Sequence, residues 1–334
     1  MNTRTRMSIS IVGLAAMVAV IAACGEEGQS GTEAPESVEG QGCAPIAGEE
    51  LLMLEDDKAL QQAENIIAAV NQDAATPELI AALDAVAATL DTPALIELNR
   101  AVDIDRQTPE DAAAQFADAR GITDGITAGS GGDVTVGTAE FSESRTIGAL
   151  YDIALTAAGF EVEVQTIGNR ELYAPALQRG ELDVVPEYLG SLTEYLNAEV
   201  NGADPEPLAS SDVDATVTAL RDLGEQVGLA FGEPAEGANT NAFAVTRAFA
   251  EEHGLRTLSD LAEVCSGADT ILGGPPECPQ RPFCQPGLEE TYGMEFGQFV
   301  SLDAAGGPLT KQALRTGEIS VGLVLSTDGE LSTV

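Results

Sequence analysis

The sequence predicts an α/β protein of two compact units with a cleft between them, each unit a parallel sheet covered by helices. Three observations predict this. Strand-like and helix-like segments alternate from Val134 to Leu325, as crossover-connected parallel sheets require. The chain has 334 residues, enough for two domains at roughly 100–200 residues each. Hydrophobic residues make up 44 % of them, too many for a disordered acidic tail. Two such units leave a cleft at the carboxyl ends of their strands, where ligands bind.

The elements follow in chain order. Leu51-Leu52-Met53-Leu54 is a short apolar run stopped by Glu55-Asp56-Asp57, a buried strand ending in a polar loop. Residues 58–120 read as helices. Thr76-Pro77-Glu78, Asp91-Thr92-Pro93 and Thr108-Pro109-Glu110 each place a capping side chain before a proline at the first turn. Gly121 closes the third helix, and GITDGITAGSGGD then breaks the chain. After it come a strand at 134–137, a helix at 144–158, a strand at 162–167, a helix at 170–179 and a buried strand at 182–185. Helices follow at 191–197 and 211–227, a strand at 243–245, a helix at 257–264 and a strand at 270–273. A helix at 308–316 leads into the last strand, 319–325.

The N-terminus reads as a targeting segment. Arg4 and Arg6 precede an apolar run from Met7 to Ala23, and Ile21-Ala22-Ala23-Cys24-Gly25 has the small residues of a lipobox. Residues 1–23 are therefore expected to be removed as a signal peptide and Cys24 to be lipidated, rather than the run serving as a short transmembrane anchor. Residues 24–50, rich in Glu, Gly, Ser and Pro, read as a flexible tether. The expected location is the extracytoplasmic face of the cell membrane. Beyond Cys24 the cysteines are Cys43, Cys265, Cys278 and Cys284, an even number for an oxidising compartment. The short, proline-stiffened 278–284 segment favours a local bridge, which leaves Cys43 with Cys265. Zinc is the alternative, against which stand the missing CxxC spacing and missing ligand histidines.

Charge excludes nucleic acid as a partner. The formal net charge is −40, becoming −42 once Arg4 and Arg6 leave with the signal, and Lys occurs only at Lys58 and Lys311. Phosphate neutralisation needs clustered Lys and Arg. Catalytic constellations are missing too. The one histidine, His253, precedes Gly254 and reads as a helix C-terminal residue. No GxSxG, Walker A loop or GxGxxG after a strand occurs. No cofactor and no catalytic residue is expected.

Five stretches carry a resemblance: VTVGTAEFSES from Val134, TIGNRELYAPALQRGELDVVPEYLGSLTEYL from Thr166, EGANTNAFAVT from Glu236, PGLEETYGMEF from Pro286, and GPLTKQALRTGEISVGLVLSTDGEL from Gly307. In this order they resemble the substrate-binding proteins of glycine betaine/choline (quaternary-amine) ABC transporters. Pieces that follow the STDG block in that family stand at the front here: LLMLEDDK at 51–58 and LIELNRAVDIDRQTPEDAAAQFADARGI at 95–122. The sequence therefore looks like a circular permutant, with GITDGITAGSGGD bridging the old termini. Permutation is physically cheap where the original ends lie close together at the surface. A fusion complementing a second copy is the rival account. Under permutation, the strands at 319–325 and 51–55 should stand near one another.

The resemblance implies a two-lobed, periplasmic-binding-protein-like (type II) fold, with ligand trapped between the lobes by hinge closure. It implies lobe 1 over 134–240 with 51–122 added, a linker at 123–133, lobe 2 over 241–328, and 329–334 as a hinge and C-terminal end. Hinge crossings are expected near Asn239–Asn241 and Ser326–Asp328. Expected ligand contacts are Glu140, Phe141 and Ser142 after the first strand, Asn169, Arg170 and Tyr173 after the second, and Glu187 and Tyr188 after the third. Asn239, Asn241, Ser326, Thr327 and Asp328 join them from the hinge. Tyr188 matches an aromatic position of the family's cage, where ring faces attract a quaternary ammonium ion. Phe283 is a further aromatic candidate, and Arg170 is a candidate for a ligand carboxylate. The implied function is a lipid-anchored receptor that delivers a glycine betaine- or choline-like solute to a permease. The alternatives are a receptor or sensor for another small polar metabolite and, from a different class, a surface hydrolase.

Overall fold

The computed structural model describes residues 38, 40–129, 131–202, 205–276, 278–302 and 307–333. The expected signal segment, Cys24 and most of the expected tether lie outside them. Eleven strands occur among the described residues: β1 Leu51–Leu54, β2 Ile66–Asn71, β3 Gly132–Ala139, β4 Phe160–Gly168, β5 Val184–Tyr188, β6 Leu229–Phe231, β7 Asn241–Thr246, β8 Gly267–Gly274, β9 Phe296–Ser301, β10 Val321–Leu325 and β11 Ser332–Thr333. They form a five-stranded sheet in the order β4-β3-β5-β2-β6 and a six-stranded sheet in the order β11-β1-β7-β10-β8-β9. The sheets are mixed rather than wholly parallel, because β2 runs antiparallel to both its neighbours and β7 antiparallel to β1 and β10.

The first lobe is built on the five-stranded sheet. Its helices begin where capping predicts. Thr76 accepts from the Leu79 amide at 3.2 Å, Asp91 from Ala94 at 2.7 Å and Thr108 from Asp111 at 3.1 Å, each bond contributing about 1 kcal/mol. Gly121 ends helix Pro109–Arg120 at φ 65°, a left-handed conformation that glycine adopts without penalty. Helix Ser142–Ala157 buries Ile147, Leu150, Ala154 and Leu155 against the sheet beside Leu79, Leu83 and Val86 of helix Pro77–Ala87. The second lobe packs Phe243, Val245 and Phe249 with Leu258, Leu272 and Leu323 around the six-stranded sheet.

Several boundaries differ from expectation. Ile66–Asn71 is a strand within the region read as helical, and all six of its residues are buried. A strand enclosed on both faces and a buried helix segment look alike over so short an apolar run. β1, assigned with the first lobe, lies in the second lobe's sheet, where it pairs with β7 from Leu51↔Thr246 to Leu54↔Phe243. The first interlobe crossing is therefore the stretch from Glu55 to Asn65. The second is 232–240. These run side by side, with an Asn65↔Ala238 bridge and the Asn239 amide donating to the Glu64 carbonyl at 3.0 Å. Ser326–Asp328 does not cross. It turns back so that β11 pairs with β1, and Leu331 within 329–334 is buried.

The tether ends sooner than composition suggests. Gln41 bridges Gly267, the Gly48 amide donates to the Arg315 carbonyl at 3.1 Å, and Cys43 is buried. Once that cysteine is bonded across the lobe, the polar residues around it have no freedom to act as a spacer. The linker is likewise shorter than 123–133, since Gly132 and Asp133 already belong to β3. The strands at 319–325 and 51–55 do stand near one another, β10 and β1 flanking β7 on either side, about 10 Å apart by strand spacing.

Candidate functional site

Between the lobes lies a cavity of about 1030 Å³, walled by the ends of β5, β7 and β10, the start of helix Ser142–Ala157 and both crossings. Of the expected contacts, Phe141, Ser142, Tyr188, Asn239, Asn241, Thr327 and Asp328 line it. Glu140, Asn169, Arg170, Tyr173, Glu187 and Ser326 do not line it. The wall also holds Asn99, Glu143, Glu64 and Phe283.

Glu143 is the hub. Its side chain is only 4 % exposed, and it accepts from Tyr188 Oη at 2.6 Å, Asn239 Nδ2 at 2.8 Å and Asn99 Nδ2 at 2.6 Å. All three donors are neutral, and no cation pairs with this carboxylate among the described residues. Its place in the first turn of helix Ser142–Ala157 explains how the charge is tolerated, because the positive end of a helix dipole favours an anion there. The Ser144 hydroxyl accepts from the Ala139 amide at 2.9 Å, which fixes the turn from β3 into the helix. Asn99 also donates to the Thr327 carbonyl at 2.9 Å, so this cluster joins the lobes. Gly329 makes that approach possible: a Cβ there would lie 2.7 Å from the Arg100 backbone.

Tyr188 ends β5, opposite Ile66 in the β2 register. Burial, and then the Glu143 charge, push its hydroxyl well above the ordinary tyrosine pKa, so it stays protonated and donates. Its ring centroid lies 6.1 Å from that of Phe141, tilted by 34°, and Phe141 is 47 % exposed. From the second lobe, Phe283 presents a third ring. Its carbonyl accepts from Gln61 Nε2 of the first crossing at 3.1 Å.

A second acidic group, Glu64, sits at the first crossing. It accepts from Ser191 Oγ at 2.6 Å, Ser191 N at 3.0 Å and Gln62 Nε2 at 2.7 Å. Burial pushes its carboxyl above the usual range, with the Ser191 and Gln62 bonds opposing. Lys311 bonds Asp328 and Glu330 at 2.8 Å each. Burial works against its charge, but the two acids outweigh burial and raise its pKa.

Arg170 is a correction. It forms a two-pronged pair with Glu187, Nε to Oε1 at 2.8 Å and Nη2 to Oε2 at 2.6 Å, and Tyr173 Oη donates to the same carboxylate at 2.9 Å. Burial opposes the guanidinium charge, yet Glu187 overrides it and lifts the Arg170 pKa above its ordinary value. These three residues brace the first lobe beside the cavity. Ser326 is also structural, accepting from the Thr240 amide at 2.9 Å and donating to the Ala238 carbonyl at 3.1 Å. Glu140 is exposed, and the Asn169 side chain does not cap helix Arg170–Gln178.

The sequence reading missed Glu143, although it stands in the FSES motif next to Ser142. The available signal was a carboxylate in the first turn of a helix at a strand's end. Asn99 carried no such signal, since it reaches the cavity from a distant segment through helix Thr92–Asn99 and the π turn Arg100–Ile104 that follows. The cysteines pair as favoured, Cys43–Cys265 with Cα atoms 4.8 Å apart and Cys278–Cys284 at 5.2 Å. His253 ends helix Arg247–His253 with its ring 4.7 Å from that of Phe249.

Comparison with known proteins decides the family. Residues 44–119 and 132–334 match the model of the substrate binding domain of the ABC-type glycine betaine transport system. The chain belongs to this family. Its fold is accordingly the two-lobed type II one, and the family serves transport rather than catalysis. The chain is 31 % identical over 206 residues to the glycine-betaine-binding protein of Pseudomonas aeruginosa, covering 59 % of this chain and 62 % of that protein. It is 26 % identical over 208 residues to the glycine betaine-binding protein YehZ of Escherichia coli strain K12, covering 60 % and 66 %. The match thus spans less than two thirds of either relative's length. A crystal structure of a glycine betaine/carnitine/choline ABC transporter aligns at a TM-score of 0.43 and 23 % identity, covering 59 % of this chain and 70 % of that one.

Proposed function

We propose that this chain is the lipid-anchored, extracytoplasmic solute receptor of an ABC importer. Its cleft takes a small quaternary ammonium osmoprotectant of the glycine betaine and choline kind and hands it unchanged to a permease. The observation that carries the reading is the buried, cation-free Glu143 carboxylate beside the rings of Tyr188 and Phe141. A quaternary ammonium has no N–H to donate, so ring faces and a nearby negative charge are what attract it. Phe283, Asn241 and Thr327 face it from the other lobe. A ligand that touches both walls binds the closed arrangement better than the open one, and so shifts the hinge toward closure. The two crossings, bonded at Glu64 and Asn239, are the hinge about which the lobes turn.

The test is thermal unfolding against glycine betaine, choline and carnitine. At about one hundred times Kd a true ligand stabilises by about 2.7 kcal/mol, raising Tm by roughly 5–10 °C. A flat response to every quaternary ammonium contradicts the reading. Lipidation at Cys24 is tested by labelling cells with a tagged fatty acid, which should mark the protein and should fail to mark Cys24→Ala.

We infer as well that the chain is a circular permutant. The family match breaks between residues 119 and 132, at the proposed bridge, and β1 and β10 share a neighbour in one sheet. A reordered chain, 132–334 followed by 40–119, which keeps the Cys43–Cys265 bridge, should fold and bind the same solute. Failure to fold would count against the permutation.

A further inference from the structure

We infer that the Cys278–Cys284 bridge is a positioning element of the ligand site, holding Phe283 at the cleft wall so that the wall is formed before a guest arrives. This rests on reading the cleft as a solute site and adds the device that sets one of its aromatic contacts.

The two bridges of the chain are placed for different work. Cys43–Cys265 joins residues 222 positions apart, Cys278–Cys284 residues only 6 apart. In the chain-entropy account a bridge restrains the unfolded chain more, the longer the loop it closes. The first bridge therefore contributes more to global stability. It ties the segment around Gln41 to the Gly267 edge of the second lobe, and neither of its cysteines nor any residue next to them in sequence lines the cavity. The second bridge closes a loop that does line it: Arg281 and Phe283, both between its cysteines, stand in the wall.

The bridge is also what seats that loop in the lobe. Cys278 and Cys284 are 0 % and 1 % exposed, packed in one core with Leu272, Leu288 and Tyr292. Between them Gln280, Arg281 and Pro282 are exposed and Phe283 is half-buried. The backbone supplies turns, the Arg281 amide donating to the Cys278 carbonyl at 3.3 Å and the Cys284 amide to the Arg281 carbonyl at 3.0 Å. No described residue from 275 to 284 belongs to a strand. A loop with few buried apolar side chains opens at low cost, and a cross-link removes most of its open conformations.

The same loop leans on the hinge. The Phe283 carbonyl accepts from Gln61 Nε2 of the first crossing at 3.1 Å. The Pro282 carbonyl lies over Gly287, where a Cβ would come within 2.3 Å of it and within 2.6 Å of Leu60 Cδ1. Gly287 thus admits the loop to close contact with the crossing. Attraction of a cation to a ring face needs the ring centroid within about 6 Å, so a loop that strays forfeits the contact. A residue fixed beforehand spares the guest the entropy of ordering it.

The experiment is calorimetric titration of the full chain and its variants with choline and with glycine betaine. Cys278→Ala/Cys284→Ala should weaken whichever of the two the unaltered chain binds by about three- to tenfold, and no more than Phe283→Ala does. In a Phe283→Ala background the same pair should change affinity by less than about twofold, because the bridge acts through that residue. A merely structural bridge would not show this coupling. The ligand-free Tm should fall less than in Cys43→Ala/Cys265→Ala. Hydrogen exchange on the unaltered chain covers the case in which the variant fails to fold. There the Arg281 and Cys284 amides should be protected alike, to within about twofold, with and without the solute. A loop protected only when solute binds would overturn the inference alone. So would an affinity untouched by removing the bridge, or lowered equally with and without Phe283. Binding of neither solute to the unaltered chain would overturn the inference together with the reading beneath it.

Discussion

Glu143 and Glu187 are two carboxylates of the same lobe, 4 % and 1 % exposed, yet they do opposite things. Glu187 meets a guanidinium head-on and takes a tyrosine hydroxyl and its neighbour's amide as well. Its charge is neutralised within the protein, and the cluster is a brace. Glu143 collects neutral donors only, so its charge is left to be matched from outside. Burial and acidity do not distinguish a site from a strut. The distinguishing feature is whether the fold supplies the counter-charge.

Substitutions should separate the two. The largest effect on stability is expected from Arg170→Ala, which strands Glu187 as an unpaired buried charge at a cost of about 3–5 kcal/mol. Tm should then fall by roughly 10 °C, and replacing Glu187 by Gln in that background should recover part of the loss. Glu143→Gln should do the reverse, moving the ligand-free Tm by only a few degrees while weakening ligand binding. If it unfolded the chain as Arg170→Ala does, the contrast would be lost.

Smaller effects sharpen the same contrast. Tyr188→Phe keeps the ring and removes one donor to Glu143, leaving a buried acceptor short by about 1–3 kcal/mol. Phe283→Ala should weaken a quaternary ammonium by about 0.5–2 kcal/mol with little change in ligand-free stability, as read by paired titration and melting. The smallest effect concerns pH. Burial would raise the Glu330 pKa, but Lys311 and Arg315 outweigh it and hold the carboxyl below its ordinary value. Its contribution is therefore present above the ordinary value of 4.5 and is lost as pH falls through the lowered one. Glu330→Gln should lower Tm by about 1–3 °C at neutral pH and flatten the decline in acid.

Much of the fold is legible in the sequence where local chemistry acts alone. The three Thr/Asp-Pro starts, the Gly121 cap and the strand–helix alternation after Val134 all appear in the structure, because capping and periodicity are decided within a few residues. β2 was not legible, since Ile66-Ile67-Ala68-Ala69-Val70 is apolar without a period and only the neighbours β5 and β6 make it a strand. The lobe of β1 was hidden for a related reason: the run Leu51–Leu54 says buried, not buried where. In the site, Tyr188 and Asn239 were readable from their motifs. Arg170 misled because a guanidinium near a strand end looks the same whether its carboxylate comes from a ligand or from Glu187, and the partner lies 17 positions away in the chain. Asn99 was invisible, since it gains its role through a carboxylate 44 positions off and a carbonyl 228 positions off.

One measurement tests the unpaired-charge account most directly: a crystal structure of the chain grown with choline. The account predicts the trimethylammonium group within about 6 Å of the Tyr188 ring centroid, on the Glu143 side of the cleft, with Arg170 and Glu187 still locked together. Choline found outside the cleft, or Glu143 bonded to a cation of the protein while the ligand lies elsewhere, would contradict it.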